Sequence, residues 1–126
     1  MHLTGTMKIN GFGNLEIGGV DTTTLVEQYQ TPLWVIDETC FRENCRVFRN
    51  AFQLAGDGLV LYACKALCNT ALCKIVAEEQ LGLDVVSGGE LFTAINAGFP
   101  MEKVYFHGNN KSPGELEMAV AFGVGR

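Results

Sequence analysis

Three short apolar runs begin roughly 22 residues apart: Leu59-Val60-Leu61-Tyr62-Ala63, Leu83-Asp84-Val85-Val86 and Val104-Tyr105-Phe106-His107. Strands buried on both faces read as near-continuous apolar runs. The stretches between them carry helical spacing. Strands alternating with helices imply parallel βαβ units with right-handed crossovers. This rhythm restricts the chain to a parallel sheet with helices packed on it. No sequence repeat underlies it. A further run, Leu33-Trp34-Val35-Ile36, comes earlier and predicts an opening strand.

Helix boundaries follow from local chemistry. Asp21 predicts a cap for a short helix through Tyr29, and Thr31-Pro32 closes it, because the residue before proline is pushed out of the helical region. Asp37 is the expected N-cap of a second helix through Leu54, with Phe41, Cys45, Phe48 and Phe52 at helical spacing. Gly56-Asp57-Gly58 then breaks the chain. A third helix is expected over residues 69–80. Ser87-Gly88-Gly89-Glu90 and Ser112-Pro113-Gly114-Glu115 both fit capping boxes, in which the serine caps and the glutamate reaches back. Their helices run to about Ala97 and Phe122. Residues 1–31 look irregular, apart from a short strand-like alternation at Leu15 and Ile17.

Two architectures fit this order. One is an open doubly wound sheet of four or five strands. The other is the start of an eight-stranded barrel, which takes about 250 residues; the chain has 126. Composition narrows the function. With 48% apolar residues the chain can bury a core, which a disordered polymer cannot. The balance of 9 Lys+Arg against 14 Asp+Glu argues against binding nucleic acid through its phosphates. No run approaches the roughly 20 apolar residues of a membrane span, and the first ten residues lack the apolar core of a secretory signal. The five cysteines, an odd number, read as reduced cytosolic thiols. Cys64, Cys68 and Cys73 match no common zinc spacing and read as small core residues.

Lys65 is the first candidate for chemistry. It directly follows an apolar strand, where parallel folds place their sites. Partial desolvation there favours the neutral, nucleophilic amine. From position alone it also reads as an ordinary solvent-facing lysine. Asp84 lies inside the next strand, where a carboxylate is costly unless paired. Pairing with Lys65 would account for both residues, and an outward-facing edge position would account for Asp84 alone. Ser87-Gly88-Gly89-Glu90 can receive an anion at a helix N-terminus or act as a plain capped turn. His107-Gly108-Asn109-Asn110-Lys111 puts an imidazole, two amides and an amine on one loop, in a pattern that also suits simple turn chemistry. Gly11-Phe12-Gly13 has Glu16 where a dinucleotide fingerprint needs its third glycine, and no strand before it.

Tyr62-Ala63-Cys64-Lys65-Ala66 resembles the motif that carries the cofactor lysine in the fold-type III pyridoxal-phosphate enzymes. The stretch from Leu83 to Leu91, followed by the stretch from Val104 to Ser112, resembles the diaminopimelate decarboxylase family within that group. Pro32-Leu33-Trp34-Val35-Ile36-Asp37 is similar to its entry strand. The resemblance covers about residues 31–122.

It implies a partial (β/α)8 TIM barrel of the alanine racemase-like type, formed by residues 37–126 and preceded by residues 1–36 as part of a β domain. Residues 59–65 would be the first barrel strand. Lys65 would hold pyridoxal 5'-phosphate as a Schiff base and carry the catalysis. Ala63 would face the cofactor, Asp84 would help set the charge of the Lys65 amine, and His107, ending a barrel strand on the site's face, would be a cofactor-binding residue. The implied reaction is decarboxylation of meso-2,6-diaminopimelate to L-lysine by a cytoplasmic homodimer. Related enzymes act on arginine, ornithine or carboxynorspermidine, and a small non-catalytic α/β ligand-binding domain is the alternative of another class. The family's ring-stacking histidine, its carboxylate on the pyridine nitrogen, its glycine-rich phosphate site and its substrate arginines all come later than Arg126. The chain is therefore expected to be an N-terminal fragment, inactive alone.

Overall fold

The computed structural model describes residues 2–56 and 58–126. Asp57, within the expected break at residues 56–58, lies outside the described residues. The chain divides into two compact units, residues 1–44 and 45–126, with the boundary inside one helix.

The first unit opens with a three-stranded antiparallel meander: β1 (Lys8–Ile9), β2 (Leu15–Ile17) and β3 (Val20–Asp21). Gly18 and Gly19 join β2 to β3 with φ of 61° and 82°, the left-handed pair that a two-residue hairpin of matching twist requires. α1 (Thr22–Tyr29) follows, capped by Asp21 as expected. The Asp21 carboxylate takes the Thr23 N–H at 2.8 Å and hydroxyl at 2.7 Å, and the amides of Asn10 and Asn14 at 2.6 and 3.0 Å. Asp37 begins α2 (Glu38–Ala55), accepting from the Cys40 N–H at 3.0 Å and from the Thr6 N–H and hydroxyl at 2.8 and 2.7 Å. Leu33-Trp34-Val35-Ile36 is not a strand; these side chains are exposed and no ladder engages them among the described residues. An apolar run becomes a strand only when a neighbouring strand takes its backbone groups.

Both carboxyls titrate below the usual aspartate range. Asn14 and Thr23 hold Asp21 down by hydrogen bonds to its charged form, and the Cys40 and Thr6 N–H groups do the same for Asp37. A depressed folded pKa adds stability that is complete above the unfolded value of about 4 and is lost as pH falls through the folded value. Protection of the Thr23 and Cys40 amides from hydrogen exchange is therefore expected to fall below about pH 4. In Asp21→Ala, which removes the capping oxygen, the Thr23 amide is expected to be weakly protected at every pH. Unchanged Thr23 protection down to pH 2 in the native chain would contradict this account.

The second unit is a three-stranded parallel sheet in the order β4 (Leu61–Ala63), β5 (Gly82–Val85), β6 (Val104–Phe106). α3 (Thr70–Glu78) links β4 to β5, α4 (Gly88–Asn96) links β5 to β6, and α5 (Pro113–Ala121) follows β6. Both boxed serines cap as expected. Ser112 and Glu115 form the complete reciprocal box. Glu90 reaches one residue further back than expected, to the Val86 N–H at 2.7 Å. Leu83, Val85, Val104 and Phe106 turn one face of the sheet into a core with Leu72, Val76, Leu91 and Ala94 from the helices. After α5, the Arg126 N–H donates to the Val104 carbonyl and the Phe106 N–H donates to the Arg126 carbonyl, in the manner of a parallel neighbour of β6.

Gly82 permits the close approach of β5 to its neighbours. A Cβ there would lie 2.6 Å from the Lys103 carbonyl oxygen and 2.5 Å from a Leu61 methyl. Backbone cannot yield as a side chain can. Gly82→Ala is expected to cost about 1–3 kcal/mol in urea unfolding, in the range of core overpacking. A loss under about 0.5 kcal/mol would mean that the strands part freely.

Candidate active site

Register decides which side chains share a face. Ala63 pairs with Asp84 and Asp84 with Tyr105. Side chains in register on parallel strands point the same way, and alternate residues point oppositely. The row Ala63, Asp84, Tyr105 therefore lies on the sheet face opposite the helix-covered core. A groove lined by Leu61, Asp84, Tyr105, Phe106, His107 and Arg126 runs along it. The Arg126 guanidinium sits 5.5 Å from the centroid of the Tyr105 ring.

Lys65 stands at the carboxyl end of β4, two residues beyond Ala63. The strand stops at Ala63, and a single 3-10 turn, Cys64–Ala66, carries the lysine. Its side chain is exposed and makes no hydrogen bond or ion pair among the described residues. The ion pair that Asp84 was expected to form with Lys65 is therefore not made in this geometry, because the turn takes the chain out of the strand before Lys65. Asp84 instead approaches His107, with 3.7 Å between Oδ1 and Nδ1. That is too long for a hydrogen bond and is an ion pair only when the imidazole is protonated. The His107 N–H donates to the Val85 carbonyl at 2.8 Å, and this holds the residue at the end of β6.

Asp84 Oδ1 is shielded from solvent yet takes no hydrogen bond from a described residue. A shielded carboxylate oxygen without a donor is costly. The position fits a cationic amine or another proton donor brought onto this face from outside the three strands.

The remaining polar loops have structural roles. The Lys111 ammonium donates to the Gly108 carbonyl at 2.6 Å and lies 4.9 Å from the Phe106 ring centroid, closing its own loop. The Gly88 N–H at the start of α4 is taken by the Glu115 carboxylate at 2.7 Å. That helix terminus already holds an anion supplied by the chain. The bond, with those from Ser112, holds the Glu115 carboxyl below its usual range. Tyr105 and Arg126 are site-face residues that motif reading passes over. Alternation from Asp84 points to the face of Tyr105 once register is known.

The model of the family "Pyridoxal-dependent decarboxylase, pyridoxal binding domain" matches residues 39–126. This chain belongs to the pyridoxal-dependent decarboxylases. Among curated family members, the diaminopimelate decarboxylases of Bacillus methanolicus and Bacillus subtilis are each 52% identical to it over 126 residues, covering 99% of this chain and 29% of their own. A crystal structure of diaminopimelate decarboxylase from M. jannaschii in co-complex with L-lysine superposes with a TM-score of 0.81 at 33% identity, over 95% of this chain and 29% of that one. The chain thus spans under a third of the length of these decarboxylases. The family's matched region holds both capping boxes, the parallel sheet and the groove just described.

Proposed function

We propose that residues 37–126 are the opening section of a (β/α)8 barrel of the alanine racemase-like type, that residues 1–36 belong to a separate β domain, and that the protein carrying this chain decarboxylates meso-2,6-diaminopimelate to L-lysine and CO2 with pyridoxal phosphate. Sheet order supports the barrel. A doubly wound sheet reverses direction and takes helices on both faces. The order β4, β5, β6 runs one way, with α3, α4 and α5 packed as neighbours over one face. The diaminopimelate decarboxylases at 52% identity support the substrate.

The observation that carries the site is the shielded, undonated Asp84 Oδ1 one strand from the end of β4, where Lys65 stands. In this reading Lys65 holds pyridoxal phosphate through Nζ. When bound, the cofactor supplies an electron sink for the pair left behind as CO2 departs. Ala63, with only a methyl group, keeps the face open in front of the strand end. Asp84 draws positive charge toward its carboxylate and so keeps a proton available near the Lys65 amine. His107 faces Asp84 from the neighbouring strand, with 3.7 Å between Nδ1 and Oδ1. The protein is proposed to act as a cytoplasmic homodimer, on the resemblance of its motifs to that family.

The test is product formation by the full-length protein with pyridoxal phosphate. L-lysine and CO2 are expected from meso-diaminopimelate, with no product from arginine, ornithine or carboxynorspermidine. Turnover of one of those three instead would overturn the substrate. Cofactor binding that raises the melting temperature with no CO2 from any of them would favour a non-catalytic binding domain.

A further inference from the structure

The loop after Lys65 brings three thiols together. Asn69 caps α3, its side chain accepting from the Leu72 N–H at 2.9 Å. That cap puts Cys68 at the position preceding it and Cys73 four residues into the helix. These two positions pack against each other in a helix stapled at its N-terminus. Cys64, at the end of β4, completes the group, and each of the three thiols shifts the ionisation of the others. Cys64 and Cys73 are buried, whereas Cys68 is partly exposed. All three are free, and no group of three ligands among the described residues is arranged to hold a metal ion.

We infer that Cys68 and Cys73 form an oxidisable dithiol, a modification site that a hydroperoxide converts to a disulfide beside Lys65. The hydrogen bonds from Cys64 and Cys68 hold Cys73 down, to about 7, while burial pushes Cys68 up to about 11. The low value suits Cys73 as the resolving thiol, and Cys68, the partly exposed member, is the one a hydroperoxide reaches, losing its proton to solvent as it attacks. The Cys68 thiolate attacks the outer peroxide oxygen. An S–O bond forms, the O–O bond breaks, and an alcohol leaves after taking up a proton. Cys73 then loses its proton and attacks the Cys68 sulfur. The S–S bond forms and hydroxide departs with that proton as water. Two thiols are oxidised by two electrons, and one hydroperoxide is reduced to alcohol and water.

Trypsin cleavage at Lys65 and Lys74 leaves both cysteines in one peptide, residues 66–74. The experiment treats the full-length protein with one equivalent of hydrogen peroxide, alkylates the remaining thiols and maps the peptides. Residues 66–74 are expected to lose two hydrogens and escape alkylation at both cysteines, and dithiothreitol should restore both. In Cys68→Ser the bridged peptide should vanish, with Cys73 alkylated. The proposal is overturned if both cysteines remain alkylatable while other thiols are consumed. It is also overturned if Cys68 stops at a sulfinic acid, or if Cys73 bridges to Cys64 in residues 50–65 instead. The map is read without any assay of turnover, so its outcome is independent of the proposed reaction.

Discussion

Replacing Lys65 by alanine is expected to lower kcat/KM of the full-length protein for meso-diaminopimelate by about four to six orders of magnitude, as loss of a group from the catalytic machinery does in other enzymes. The same substitution should leave unfolding within about 0.5 kcal/mol of the parent, the range for exposed side chains. The reason is local. Lys65 is exposed on a single 3-10 turn and makes no hydrogen bond or ion pair among the described residues, so its removal breaks nothing that holds the fold. Paired measurements of activity and urea unfolding separate the two effects. Residual activity within tenfold of the parent would remove Lys65 from the chemistry. A parallel loss of stability would make it a structural residue.

Arg46→Ala is expected to destabilise the protein by about 1.5–3 kcal/mol, the range for hydrogen bonds to a charged group, because the Glu79 carboxylate is buried while the Arg46 side chain is half exposed. Among the described residues of the second unit Glu79 is a buried charged residue, its side chain 6% exposed. Arg46 grips its carboxylate with two nitrogens, Nε at 2.8 Å and Nη2 at 2.6 Å. Arg49 donates to the Glu79 backbone carbonyl at 3.0 Å, tying α2 again to the end of α3. Removing Arg46 leaves the Glu79 carboxylate without its fork and only partly rehydrated. Pairing Arg46→Met with Glu79→Gln removes the charge as well and should restore most of the loss, because no buried ion is then stranded. Chemical unfolding of the single and double variants reads both. A single variant within about 1 kcal/mol of the parent would show that water reaches Glu79 despite its burial.

What the sequence discloses here is mostly what local chemistry decides. Ser112-Pro113-Gly114-Glu115 forms the expected reciprocal cap because all its partners lie within four residues. β4, β5 and β6 are legible because sealed strands need continuous apolar runs, and the helices between them begin and end close to their expected caps. Leu33-Trp34-Val35-Ile36 has the same composition but is not a strand, since pairing depends on a distant neighbour that composition does not reveal. The opposite happens near the N-terminus. The alternation of Leu15 and Ile17 marks β2, but its partners β1 and β3 are two residues long, too short for alternation to show. Within the candidate site, the lysine and the aspartate stand out as polar residues on apolar strands. Their relation does not, because a turn of one residue triplet after Ala63 decides whether Lys65 continues the strand. Glu115 on the Gly88 N–H is a contact 27 residues apart, and no local pattern announces it.

The central claim is that Lys65 holds the cofactor. Borohydride reduction of the full-length protein with pyridoxal phosphate, followed by tryptic mapping, tests it most directly. The account predicts one labelled peptide spanning residues 50–74, because a modified Lys65 is no longer cut there. Label on Lys74, Lys103 or Lys111 instead, or a residue 50–65 peptide released in full from cofactor-saturated protein, would contradict it.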